Sequence, residues 1–175
     1  MGRLNSASYG EKERSEMIKT NAYSAAREMI LDESLENVKL VESFFLHLSK
    51  MDFRAASSMF TREGIYRDEP LLSLDAEGPQ AIYTKLSGAL NELTDFPITL
   101  LSVVASGNDV VTTRVEEWHF PTGNILTLPV MCMHSVDEGQ FSTWHEYWDL
   151  STFKRQVSSD WLKIVTQETG ATNEY

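Results

Sequence analysis

The segment "RVEEWHF" (114–120) sets Arg114 and Glu116 two residues apart in a strand-like run, and "STWHEYWDL" (142–150) sets Glu146 between Trp144 and Trp148. Alternate side chains of a strand share a face. Arg114, Glu116 and Trp118 therefore belong to one surface, as do Trp144, Glu146 and Trp148, and the tryptophans mark those surfaces as enclosed. A carboxylate buried without a partner costs several kcal/mol or takes up a proton. An arginine fork can bind two carboxylates at once, so Arg114 is expected to bridge Glu116 and Glu146 inside an apolar cavity. One carboxylate can then accept a proton while the other supplies one, the usual arrangement for acid–base chemistry near neutral pH. The same spacing also fits a structural ion-pair network.

Other residue types offer competing chemistry. Parity puts His119 and His145 on the faces opposite Glu116 and Glu146, and there is no HExxH or His-x-His pattern, so no metal site is expected. His134 shares a face with Leu128, Val130 and Cys132; it reads as a core or pocket histidine and as the alternative acid–base group. Cys132 is the only cysteine, which excludes an intramolecular disulfide and a cysteine metal cluster. Its apolar neighbours indicate a buried thiol. On the opposite face, Val111, Val115, Met131 and Met133 need cover, which suggests a homodimer.

The elements that must position these groups are legible as periodicities. Val38, Val41, Phe45 and Leu48 recur at helical steps, and "MDFRAASSMF" continues as a short helix with Asp52 at its N-cap. "GIYRDEP" reads as a short extended piece, "LLSLDAEG" as a loop and "PQAIYTKLSGALNEL" as a third helix with Pro79 in its first turn. Four β-rich runs follow, "ITLLSVVAS", "DVVTTRVEEWHF", "ILTLPVMCMHSV" and "FSTWHEYWDL", separated by the turn signals "GND", "PTGN" and "DEGQ". A final helix follows, which Ser151 can cap, while Asp149 is read as ordering the strand end or capping that helix. Helices first and antiparallel strands afterwards predict an α+β domain, a strongly curved sheet wrapped over the helices.

The chain of 175 residues, 42% apolar, suits one domain. It is expected over residues 21–166, between polar tails at 1–20 and 167–175. A formal charge of −11 opposes binding to nucleic acid or anionic membranes. No apolar run reaches the length of a membrane span, and no secretory leader is evident; a cytoplasmic protein is the expectation.

"RVE" followed by "WHEYWDL" resembles the limonene-epoxide hydrolase family of the SnoaL-like group, whose nuclear transport factor 2-like fold is a cone of helices against a curved mixed sheet. "YRDEP" before a loop and then "GPQAI" match the family layout, and the resemblance spans roughly residues 33–155. It implies a cofactor-independent enzyme that adds water to a medium-sized, largely apolar epoxide, giving a vicinal diol in one step. By this likeness Glu146 is the base, Glu116 the acid and Arg114 their bridge, while Tyr66 and Asp68 hold the attacking water. Trp118, Trp144, Trp148, Leu71, Leu72 and His134 are the expected substrate-binding residues. Family members commonly dimerise. The chain departs from the family in having glutamates for both aspartates. Asp68 also replaces the water-holding Asn, and an ionised Asp68 cannot donate a hydrogen bond. The same fold hosts polyketide-type cyclases, isomerases and non-catalytic small-molecule binders, so those readings stay open.

Overall fold

The apolar stripe of the first helix forms α1 (Leu35–Ser49), with Val38, Val41, Phe44, Phe45 and Leu48 buried. These belong to a computed structural model that describes residues 35–157. The expected tails and the end of the final helical segment lie outside the described residues, as does the side chain of Leu72. Asp52 caps α2 (Phe53–Ser58) by accepting from the amide of Ala55. The extended piece around "GIYRD" is longer than its sequence suggested. Strand β1 runs over Phe60–Asp68, starting at Phe60 directly after α2. The expected loop after it contains a 3-10 helix (Glu69–Leu74) and the two-residue β2 (Ala76–Glu77). Helix α3 (Gly78–Leu90) carries proline in its first turn and buries Ile82, Leu86 and Leu90. Strands β3 (Ile98–Ser106), β4 (Asp109–His119), β5 (Ile125–Asp137) and β6 (Gln140–Trp148) follow the four β-rich runs. The cap of α4 (Leu150–Gln156) is Asp149, accepting from the amide of Thr152, and not Ser151. Asp149 retains extended backbone at the end of the strand, the conformation an N-cap adopts.

The six strands form one mixed, curled sheet in the order β2-β1-β6-β5-β4-β3. All pairs are antiparallel except β1 with β6, which is parallel. Three register shifts interrupt the ladders, between Phe60 and Ile65, between Leu100 and Ser102, and between Ser135 and Val136. Extra residues on one strand bend it and increase its twist. Strict alternation back from His145 would put Phe141 on the outer face; the irregularity before Thr143 instead turns Phe141 inward, fully buried against Phe44 and Phe60. Gly64 is required in the first of these shifts, because a Cβ there would meet the carbonyl oxygen of Phe141 at 2.8 Å. The inner sheet face and the apolar faces of α1 and α3 enclose a single core, in which Trp144, Phe44, Phe60, Phe96, Phe141, Ile82 and Leu126 are essentially inaccessible.

Candidate active site

Register brings the charged residues together. Asp68 of β1 lies opposite Glu146 of β6, which lies opposite Cys132 of β5, which lies opposite Thr112 of β4. The flanking rows are Tyr66–Trp144–His134 and Trp148–Val130–Arg114. Every one of these side chains points to the inner face, so the long Arg114 side chain needs to reach only one row diagonally to meet Glu146.

Arg114 is 1% exposed, and all three of its guanidinium nitrogens donate hydrogen bonds. Nε and Nη2 donate to Glu116 Oε1 at 2.9 and 2.6 Å. Nη2 also donates to Glu146 Oε1, and Nη1 donates to the Cys132 thiol sulfur at 3.1 Å. The Phe45 ring of α1 closes the other side, 4.7 Å from the guanidinium carbon. The expected bridge is therefore present, and it joins the two glutamates through one cation. Burial works against the charge on Arg114, but Glu146 and Glu116 more than offset it and hold its pKa well above the ordinary value.

The second half of the site centres on Tyr66 and Asp68. The Tyr66 hydroxyl lies 3.1 Å from Glu146 Oε2 and 3.3 Å from Asp68 Oδ1, so its single proton links the two carboxylates. Burial, then the charges of Asp68 and Glu146, push the phenol well above its ordinary pKa and keep it neutral. Trp148 donates its indole N–H to Asp68 Oδ1 at 2.9 Å. Asp68 Oδ2 is 2.8 Å from the ammonium of Lys85 on α3, a residue the sequence reading did not single out. That ammonium also lies 3.9 Å from the centre of the Tyr66 ring. The contact with Asp68 is an ion pair rather than a well-directed hydrogen bond, so Nζ keeps donor capacity in a buried position. The available signal was the placement of Lys85 three residues after Ile82 and one before Leu86, on the flank of the α3 apolar stripe. There its methylenes can pack while its charge reaches past them.

The expected wall residues divide. Trp118 donates to Glu116 Oε2 at 3.0 Å and packs edge-on against Phe96 and Phe153. Trp148 contacts Asp68 and Phe153. Trp144 is core: 2% exposed, it stacks flat on Tyr66 with ring centres 3.9 Å apart and so fixes the phenol from behind. Leu71 is half-buried at the kink of the 3-10 helix. His134 is fully buried behind the arginine among Phe44, Phe45, Phe141 and Trp144. Its Nε2 is 3.1 Å from the Cys132 sulfur, and Nδ1 has no hydrogen-bond partner among the described residues. Burial and the nearby arginine lower its pKa to about 3, and burial pushes the Cys132 thiol up to about 11. Both are neutral near pH 7, which suits them to shaping the arginine's surroundings more than to proton transfer. Among the described residues, no three His, Cys, Asp or Glu side chains are grouped to hold a metal ion, and no helix is long and apolar enough to cross a membrane.

Three buried carboxylates therefore face two buried cations, so a single bound proton makes the cluster neutral. Glu146 is the group most affected. Burial raises its pKa, Arg114 opposes the rise, and Asp68 and Glu116 add to it, bringing it to about 8.

Helices packed on the inner face of a curled mixed sheet, with polar groups buried at the sheet's centre, define an α+β protein of the ketosteroid isomerase-like, nuclear transport factor 2-like class. Solved structures share this fold. One is a protein from Catenulispora acidiphila with a ketosteroid isomerase-like fold, in complex with trimethylamine (TM-score 0.62, 17% identity, 70% of this chain and 95% of that one). Another is an epoxide hydrolase of the limonene-epoxide hydrolase-like type from M. tuberculosis (TM-score 0.59, 20% identity, 78% and 94%). A third is a SnoaL-like polyketide cyclase candidate from Shewanella putrefaciens (TM-score 0.62, 17% identity, 70% and 95%). The profile of the limonene-1,2-epoxide hydrolase catalytic domain matches residues 35–158, and the chain belongs to that family.

Proposed function

We propose that the protein adds water to a medium-sized, largely apolar epoxide, giving a vicinal diol by one-step general acid–base catalysis without a cofactor. The observation that carries this reading is the unequal saturation of the three carboxylates. A carboxylate offers about four acceptor positions. Glu116 receives three N–H groups, two from Arg114 and one from Trp118. Asp68 is engaged by Tyr66, Trp148 and Lys85. Among the described residues Glu146 is engaged only by Arg114 and Tyr66, so it has the most room to receive a proton from water.

In this mechanism a water held beside Tyr66 and Asp68 gives a proton to Glu146 as its oxygen bonds to an epoxide carbon. The C–O bond of the ring breaks, and the departing oxygen takes a proton from Glu116, whose Oε2 has one acceptor position beyond its indole contact. At rest the cluster's one proton lies on Glu146, whose pKa is raised to about 8; the reaction requires the arrangement in which Glu116 carries that proton and Glu146 is free. Arg114 touches both groups, so it stabilises the negative charge wherever it lies. The indoles of Trp118 and Trp148 beside Glu116 and Asp68 favour a substrate with little charge, because the cluster already holds as much charge as its partners balance.

A cyclase or isomerase of a polyketide- or terpenoid-type intermediate is the second reading. The same Glu146 would then move a proton on carbon, and the fold shared with a cyclase candidate supports it. A binding module without turnover is the third. Turnover of a panel of epoxides in isotopically labelled water separates them. The proposed reaction places one labelled oxygen in the diol, and Glu146→Gln loses about 10²-fold or more in kcat, as removal of a general base does. Full activity in Glu146→Gln, or a product without labelled oxygen, refutes it.

A further inference from the structure

We propose that Lys85 is a positioning residue for the attacking water, and that Asp68 and Lys85 act together in the place of one neutral amide. The inference rests on the hydrolytic reading above. An asparagine offers water both an acceptor oxygen and N–H donors, whereas an ionised aspartate offers only the acceptor. The structure supplies the missing donor from another element. Lys85 Nζ, 2.8 Å from Asp68 Oδ2 and 3.9 Å from the Tyr66 ring centre, is buried with donor capacity unspent. The acceptor and the donor arrive on a strand and a helix, yet they meet at one residue: the ammonium lies over the Tyr66 ring, and the Tyr66 hydroxyl donates to Asp68 Oδ1.

Charge counting gives the pair a second role. Asp68, Glu116 and Glu146 balance Arg114 and Lys85 with one proton left over, and the acid–base cycle needs that one proton. Removing the Asp68 charge alone leaves two carboxylates with two cations and no proton for the acid. Removing Lys85 alone leaves three carboxylates with one cation, so a second proton enters and occupies the base. Removing both leaves two carboxylates and one cation, again with one proton. The remaining ionisable neighbours, Tyr66, Cys132 and His134, are held neutral by burial and do not alter the count. Asp68 and Lys85 must therefore be present together or absent together.

The test is a double-mutant cycle with Asp68→Asn, Lys85→Met and the combined variant, read in two ways. Without substrate, carbon-detected NMR follows the titration of the Glu146 carboxyl, near pH 8 in the unmodified protein. Asp68→Asn moves it down, Lys85→Met moves it up, and the combined variant returns it toward the starting position. Lys85→Arg, which keeps the cation, leaves it in place and separates loss of charge from loss of fold. With an epoxide, each single variant loses roughly tenfold or more in kcat, and the combined variant regains most of that loss, a coupling in the range of contacting groups. An unmoved Glu146 titration in Lys85→Met overturns the proposal, as does a combined variant no better than the weaker single one. If the unmodified protein hydrolyses no epoxide, the hydrolytic reading fails while the titrations still decide whether Asp68 and Lys85 act as a unit.

Discussion

Glu146→Gln has a consequence for stability that needs no knowledge of the substrate. The carboxyl of Glu146 is buried, and its pKa rises from the ordinary 4.5 to about 8. The folded protein therefore keeps a proton that the unfolded chain has already released. A group whose pKa is higher in the folded state stabilises fully below its unfolded value, and that contribution is lost as pH rises toward the folded one. The affected window is thus about pH 4.5 to about 8. At 1.36 kcal/mol per pH unit, the full span corresponds to roughly 4–5 kcal/mol as an upper limit. Glutamine has nearly the shape of the protonated carboxyl and cannot lose a proton. The variant and the unmodified protein should therefore be similarly stable in mild acid, and the variant should be more stable by several kcal/mol in mild alkali. Taking the difference between them at each pH removes the contribution of titrating groups outside the cluster, so what remains belongs to Glu146 and the carboxylates that share its proton. Urea denaturation is a suitable assay. With a slope of about 1–3 kcal/mol per molar urea, the two midpoints should separate by more than about 1 M between the ends of the window. Midpoints that run parallel across the whole range would show that Glu146 titrates as an ordinary carboxyl and that the one-proton cluster is wrong.

Arg114→Lys should lower kcat by about 10²-fold or more, because an ammonium cannot fork between Glu116 and Glu146; steady-state kinetics check this, and near-normal turnover would show that the bridge is only structural. Activity should fall as pH rises through about 8, since Glu146 then releases the cluster's one proton and the departing oxygen has none to take; a rate that keeps climbing through that range would assign Glu146 as a lone base. Met131, Met133, Val104 and Leu101 are 40–46% exposed on the outer sheet face, and the cross-strand row Met133–Val111–Val104 makes that face continuous. We expect a second copy of the chain to cover it: light scattering should give twice the chain mass, and Met131→Lys should give a monomer. A monomer mass before substitution would count against the dimer.

Much of the site was legible in the sequence because strand geometry is periodic. Parity alone put Arg114, Glu116 and Trp118 on one surface and Glu146 with Trp144 and Trp148 on another. The cost of burying charge then required the arginine and the carboxylates to meet. The helical stripes of α1 and α3 and the four β-rich runs were readable for the same reason, as apolar spacing is a local property. The limits of local reasoning show at Phe141, where a register irregularity reversed the face that parity predicts. They show again at Trp144, expected as a pocket wall and found stacked behind Tyr66. Position between strand neighbours could not reveal which aromatic lies deepest.

Lys85 marks the clearest division. Parity along the chain puts two carboxylates and an arginine on inward faces, and the family resemblance adds Asp68, an aspartate lacking the donors of an amide. Only the packing of α3 across β1 shows that a lysine seventeen residues after Asp68 ends 2.8 Å from it. A helix-borne lysine on the edge of an apolar stripe is ordinarily solvated, so its own neighbours in sequence give no sign of a buried partner. The balance of charge in the cluster, and with it the protonation of Glu146, depends on contacts between residues from β1, β4, β6 and α3. Electrostatic energies scale with separation in space and with exclusion of water, and neither quantity exists until the chain has folded.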